Sequence, residues 1–301
     1  MSKVHNVLVA IDFSPGSRAA LESANKLAGG LGARLVALHV APPYATFEQL
    51  PAFPPLAPID PERQRQVREE LQQFVAPAEA GGPLVETFLR DGNPADEILA
   101  HAAETGVDLI VMGAHGRRGF ERWMLGSVTE RVARRASCSV LGVPAGSPGA
   151  ALGRVLCALD LSPSSAATLE QAAAVAQALR AGLRVLYVAD GSHWYEPGPL
   201  SGVDVEAMRE AVAKSAQERL HELIARHVPK GISADVQVAF GSVTREVERV
   251  AGEGADMVVL GASSSSGVDR FFFGSTAQHV LRACVAPVLL VRTPLAKAPA
   301  A

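Results

Sequence analysis

The sequence predicts an α/β protein made of two tandem units, each a doubly wound parallel sheet of five strands. Three observations carry this. First, the chain is written twice. "NVLVAIDFSPGSRAALESANKLA" begins at Asn6 and "RVLCALDLSPSSAATLEQAAAVA" at Arg154, and Asp12/Asp160, Val40/Val188, Gly113/Gly261, Gly126/Gly274 and Val140/Val288 all stand 148 residues apart. A constant offset over nearly the whole unit marks a tandem duplication rather than a shared local motif. Second, short continuous apolar runs alternate with helical stretches, the pattern of strands buried on both faces of a parallel sheet. Third, 301 residues with 48% hydrophobic content suffice for two domains, each with its own core. The joint is "PAGSPGAALG", residues 144–153, a Gly/Pro/Ala/Ser linker, which gives domains 1–146 and 152–294.

Each element has its own signal. "NVLVAI" is the first strand. Ser14 is the N-cap of the next helix, with Pro15 at its first position and the Gly29–Gly30 pair at its end. "ARLVALHV" is the second strand, and a helix follows from about Pro61. Between them, residues 41–61 carry seven prolines and read as a long surface loop, with residues 189–204 as their counterpart. "LVETFL" is the third strand, and Asn93–Pro94 opens the helix "PADEILAHAAET". "DLIVM" and "SCSVLGV" are the fourth and fifth strands, with a helix from about Ser127 between them. Gly92 and Gly241 are 149 apart, so one residue is gained and then lost around them.

Bulk properties exclude several function classes. A net charge of −3 gives no global basic footprint for nucleic acid. There is no apolar run of membrane-spanning length, and "MSKVHNVLVAID" lacks a signal-peptide pattern, so a cytoplasmic protein without a membrane segment is expected. Cys138, Cys157 and Cys284 form no C-x-x-C and no disulfide framework; Cys157, inside "RVLCALD", reads as a small apolar core residue. The eight histidines show no ligand spacing, so no dedicated metal cage is expected.

The chemistry concentrates in "GAHGRRGFERWMLGS", residues 113–127. Ligands of open parallel sheets bind beyond the carboxyl ends of the strands, where the strand order reverses. Asp12 ends the first strand and Gly113 follows the fourth, so both face one crevice if those strands are neighbours. Gly113 and Gly116 allow close backbone approach to a ligand. Gly126–Ser127 opens a helix whose N–H groups and dipole suit a phosphate, with hydroxyls from Ser127 and Thr129 and positive charge from Arg117, Arg118 and Arg122. Asp12 has a second reading, as a partner for the start of the following helix. His115 reads as a solvent-facing loop residue, Trp123 and Phe271 to Phe273 as packing, and Arg131, Arg134 and Arg135 as a solvated helix face.

"VLVAIDFSPGSRAAL", "GNPADEIL" and "DLIVMGAHGRRGFERWMLGSVTERVARRASCSVLGV" resemble the universal stress protein family, whose nucleotide signature G-x-x-G-x9-G-S/T is matched in full by residues 113–127. The resemblance spans both halves. It implies a strand order of 3-2-1-4-5 and pairing of the two units through their fifth strands as an intrachain pseudo-dimer. It also implies ATP, with Mg2+ as a candidate companion, bound at Asp12, Val40, Met112, Gly113, Gly116, Gly126, Ser127, Val128 and Thr129. The second unit departs from the signature. Its corresponding positions are Asp160, Val188, Gly261, Ser264, Gly274, Ser275 and Thr276, with Ser264 in place of a glycine and Arg270 alone in place of three arginines. That site is expected to be weakened or altered. No Walker lysine, nucleophile or paired base stands nearby, which favours a non-catalytic ATP-binding stress-response protein. The alternatives are a slow ATP hydrolase or adenylyl-transfer enzyme, and a scaffold holding another small ligand in the C-terminal half. The sequence leaves open whether two chains form a homodimer.

Overall fold

The computed structural model describes residues 4–41, 61–80, 82–114, 125–147, 153–190, 205–262 and 274–292. The chain divides into two compact units, Val4–Ala150 and one containing Ala151–Ala301.

In the first unit the elements follow one another as β1 (Asn6–Ile11), α1 (Pro15–Leu31), β2 (Arg34–Ala41), α2 (Pro61–Glu79), β3 (Val85–Asp91), α3 (Pro94–Thr105), β4 (Leu109–Gly113), α4 (Ser127–Arg135) and β5 (Ser139–Val143). All strand pairings in this unit are parallel, and the order is β3-β2-β1-β4-β5. The second unit repeats the plan with β6 (Arg154–Leu159), α5 (Ser165–Leu179), β7 (Gly182–Ala189), α6 (Val205–His227), β8 (Ala234–Phe240), α7 (Val243–Gly252), β9 (Met257–Gly261), α8 (Ser275–Ala283) and β10 (Val288–Val291). Its order is β8-β7-β6-β9-β10, again parallel. Each unit therefore has the 3-2-1-4-5 order, with the first and fourth strands adjacent at the centre.

The apolar runs form the core, as strands covered on both faces must. Val7, Leu8 and Val9 of β1 and Ile110 and Val111 of β4 are fully buried, and Leu21 and Leu27 of α1 close over them. Cys157 is likewise fully buried in β6, and burial pushes its thiol pKa well up. It is an inert core residue.

Both units pin the start of their central strand in the same way. Asp108 Oδ2 accepts from the main-chain N–H of His5 at 2.7 Å and of Asn6 at 3.0 Å. Asp256 Oδ2 accepts from Gly153 at 2.8 Å and Arg154 at 2.9 Å.

The helix boundaries refine the sequence expectation at the end of α1 and differ between the units at the start of α1 and α5. α1 runs through Gly29 and Gly30 and stops at Gly32, whose φ of 64° lies in the left-handed region. Glycine inside a helix weakens it without ending it; the left-handed residue after the last turn does the ending. In the second unit that position is Arg180, held at φ 53°. At the other end, Ser14 caps α1 by accepting from Ser17 N at 3.1 Å. Its counterpart Ser162 instead shares a hydrogen bond with Ser164 Oγ at 2.8 Å, and α5 starts later, at Ser165.

Candidate functional site

The adjacency of β1 and β4 brings the two ends of the signature region together. Val9 is level with Val111, so Asp12 and Gly113 leave the sheet side by side at its carboxyl edge. Ile11 is level with His39, which places Asp12 one step past that pair, beside Val40 of β2. Val40 and Met112 are buried.

Asp12 serves the helix that follows it. Its Oδ1 accepts from Ser14 N at 3.0 Å and Ser14 Oγ at 2.5 Å, while Ser14 Oγ accepts from Ser17 N. The carboxylate is thus locked to the N-cap of α1. Asp160 repeats the arrangement more openly: its Oδ1 accepts from Ser162 N and Ser165 Oγ, each at 3.0 Å, and the residue is exposed where Asp12 is half-buried.

The residue after each aspartate sits in the left-handed region, Phe13 at φ 62° and Leu161 at φ 57°. A residue with a Cβ pays for that conformation, and such outliers gather at functional turns. Packing holds Phe13 there. Its ring lies 4.6 Å from the His39 ring and 5.6 Å, edge-on, from Phe74. His39 is fixed in turn by a 2.7 Å contact between Nδ1 and Ile11 O, and the Arg18 guanidinium covers Phe74 at 3.5 Å.

Packing supplies a further reason for a glycine at position 113. A Cβ there would lie 2.9 Å from Gly16 C and 3.2 Å from Gly16 O and Ser17 N, so the residue lets α1 press against the end of β4. The first turn of α1 is consequently part of the site wall, and Gly16, next to Pro15 in the first turn of α1, was the sequence signal for it.

Past Gly113 the chain is clasped at the base of the signature loop. Ala114 N donates to Val143 O at 2.7 Å, and Gly126 N donates to Ala114 O at 2.8 Å. Gly126 is the N-cap of α4 and supplies no side-chain cap, which leaves the main-chain amides of the first turn at the positive end of the helix dipole. Ser127 is exposed and Val128 half-buried. Thr129 departs from expectation: its Oγ1 donates to Gly113 O at 2.7 Å, so its proton goes to the protein and not to a ligand. What Thr129 can offer a ligand is its main-chain N–H.

The second unit shows the same loop base, with Ala262 N donating to Val291 O and Gly274 N to Ala262 O, each at 3.0 Å. Val188 is buried, Gly261 and Thr276 are half-buried and Ser275 is exposed. Gly274 is again an N-cap without a side-chain cap. The position of Thr129, however, is taken by Ala277.

Gly116, His115, Arg117, Arg118, Arg122 and Trp123, and in the second unit Ser264, Arg270 and Phe271 to Phe273, lie outside the described residues, as do residues 42–60 of the proline-rich loop and 191–204 of its counterpart. Of the basic face on α4, Arg134 pairs with Glu130 at 3.1 Å and Arg135 with Asp96 at 2.5 Å. Among the described residues no group of three or more His, Cys, Asp or Glu side chains is arranged to hold a metal ion.

The model of the universal stress protein family matches residues 3–144 and again residues 152–292. The chain belongs to the universal stress protein family. Universal stress protein YxiE of Bacillus subtilis is 39% identical over 144 residues, which are 46% of this chain and 97% of that protein. Universal stress protein MJ0531 of Methanocaldococcus jannaschii is 35% identical over 137 residues, 46% of this chain and 80% of that protein. One unit here therefore corresponds to nearly the whole of YxiE. The crystal structure of a universal stress protein from Archaeoglobus fulgidus superposes with a TM-score of 0.63 over 96% of this chain and 98% of that one, at 22% identity, a likeness of fold. Membership makes this a tandem universal stress protein and supports a role in stress response. Among the described residues no helix is long and apolar enough to cross a membrane.

Proposed function

We propose that the N-terminal unit binds ATP and that the protein acts as a non-catalytic stress-response regulator, in which bound nucleotide biases conformation or partner choice. The observation that carries the reading is a juxtaposition. Asp12, Val40 and the end of β4 meet at one sheet edge, and the first turn of α4 returns to that edge without a side-chain cap. Adenine and ribose would lie across Asp12, Val40, Met112 and Gly113. The phosphates would take Gly116, Gly126 and the amides of Ser127, Val128 and Thr129, in the manner of anions at helix N-termini. Mg2+ fits here as a companion of the phosphates. It keeps several waters and takes one or two carboxylates with phosphate oxygens, and Asp12 would be the carboxylate offered to it. Domains 1–146 and 152–294, a cytoplasmic setting, the absence of nucleic-acid partners and further association of chains as a homodimer belong to the same proposal. The double family match supports pairing of the two units within one chain.

The test is a calorimetric titration of the purified protein with ATP, repeated on Gly116→Val. The variant should keep its fold and lose binding at the N-terminal site, because a branched side chain would stand in the phosphate path. Unchanged binding would remove the assignment. Phosphate release should stay far below the range of roughly 1 to 10³ per second common for enzymes; fast, saturable release that disappears in Gly116→Val would favour the hydrolase reading instead.

A further inference from the structure

Thr129 is the third residue of α4 and is 4% exposed. Its Oγ1 donates to Gly113 O at 2.7 Å, tying the first turn of α4 to the last residue of β4. Two main-chain bonds stand beside it, from Ala114 N to Val143 O and from Gly126 N to Ala114 O. The second unit repeats both main-chain bonds. It cannot repeat the third, because the matching residue is Ala277, buried and without a hydroxyl.

We infer that Thr129 is a positioning residue, whose hydroxyl presets the direction of the Ser127, Val128 and Thr129 amides toward a phosphate group by holding α4 against the end of β4. The inference rests on the reading of the N-terminal unit as a nucleotide site. The N-cap of α4 is glycine and offers no side-chain bond of its own, and the hydroxyl of Thr129 supplies a side-chain tether for that turn. A helix end held in place before the ligand arrives loses less freedom on binding. Since the proton of the hydroxyl is spent on Gly113, the residue acts on the ligand through the amides it orients. The start of α8 repeats the two main-chain bonds, and Ala277 brings no hydroxyl to add to them.

The experiment titrates ATP and adenosine in parallel into the full-length protein. The wild type should bind ATP more tightly than adenosine. Thr129→Val keeps the shape and removes the hydroxyl. It should weaken ATP roughly three- to tenfold, the effect of one net hydrogen bond, and leave adenosine unchanged. Thr129→Ser should restore the ATP affinity. Without nucleotide, hydrogen exchange of the Ser127–Thr129 amides should quicken in Thr129→Val, and wild-type Ser275–Ala277 should exchange faster than Ser127–Thr129. A wild type that does not distinguish ATP from adenosine removes the nucleotide reading and this inference with it. A wild type that does distinguish them, beside a Thr129→Val variant with undiminished ATP affinity, an equal loss of both ligands, or no rescue by Thr129→Ser, overturns the positioning role and leaves the site standing.

Discussion

His101 shows how one side chain ties burial to pH. It sits on α3, 2% exposed, against Phe88 with ring centroids 5.0 Å apart, and neither ring nitrogen has a hydrogen-bond partner among the described residues. Burial holds its pKa below the usual histidine range; the Arg90 charge lowers it further and Glu104 partly opposes this. The folded protein thus binds this proton less readily than the unfolded chain, whose histidine titrates near about 6.5. Stability is complete above that pH and is lost as the pH falls below it toward the folded-state value. His101→Leu should therefore flatten the decline of the melting temperature between neutral and mildly acid pH; parallel pH profiles for variant and wild type would exclude the histidine as the cause. Nothing in the sequence separates this histidine from the other seven, because its isolation is made by the packing of α3 on β3. The left-handed turns at Phe13 and Leu161 are equally silent, since neither is a glycine or asparagine and tertiary contacts impose the conformation. Asp12 and Gly113 did stand out as special, yet part of what each does, capping α1 and admitting its first turn, appears only once β1 and β4 are side by side.

Elements were easier to read than residues, because buried parallel strands and capped helices write their signals locally. The strand "NVLVAI" coincides with β1, and Asn93 caps α3 through Oδ1, which accepts from Ala95 N at 3.1 Å and Asp96 N at 3.4 Å. The exception is the end of α1, where the Gly29–Gly30 pair drew attention away from Gly32. The tandem design turns that boundary into a controlled comparison. Gly32 and Arg180 occupy the same left-handed position after α1 and α5, at φ 64° and 53°. A Cβ at Gly32 would meet nothing within 4 Å, so conformational strain is the main cost of a side chain there. Gly32→Ala should cost about 1 kcal/mol. Arg180→Gly should gain roughly half of that, because the added freedom of glycine in the unfolded chain offsets part of the relief. Denaturant midpoints of the two variants should move in opposite directions, and a destabilised Arg180→Gly would show that the arginine side chain contributes contacts outweighing its strain.

At the scale of the whole molecule, duplication has kept the frame and let the chemistry diverge. Strand order, the aspartate anchors at Asp108 and Asp256, and the clasped loop bases are the same in both units. The 148-residue offset made that repetition readable, since a duplicated core must preserve every buried strand. Several of the differences fall where a nucleotide would be held. Asp160 is more exposed than Asp12, and Ala277 has no hydroxyl to match that of Thr129. In sequence, Ser264 replaces Gly116 and Arg270 stands in place of Arg117, Arg118 and Arg122. A positive φ at that position, open to glycine, would cost a serine on the order of 1 kcal/mol. Two fewer arginines facing a triphosphate would cost a similar amount. Together these would give a deficit of about 2 kcal/mol, or roughly thirtyfold in affinity. One tight ATP per chain is therefore expected, in the N-terminal unit, with the C-terminal site weak or given to another ligand. Equilibrium dialysis across a wide ATP range should show a high-affinity stoichiometry near one, abolished by Gly116→Val, while Ser264→Gly strengthens the weaker class. Two matched high-affinity sites per chain would mean that these substitutions do not govern phosphate binding.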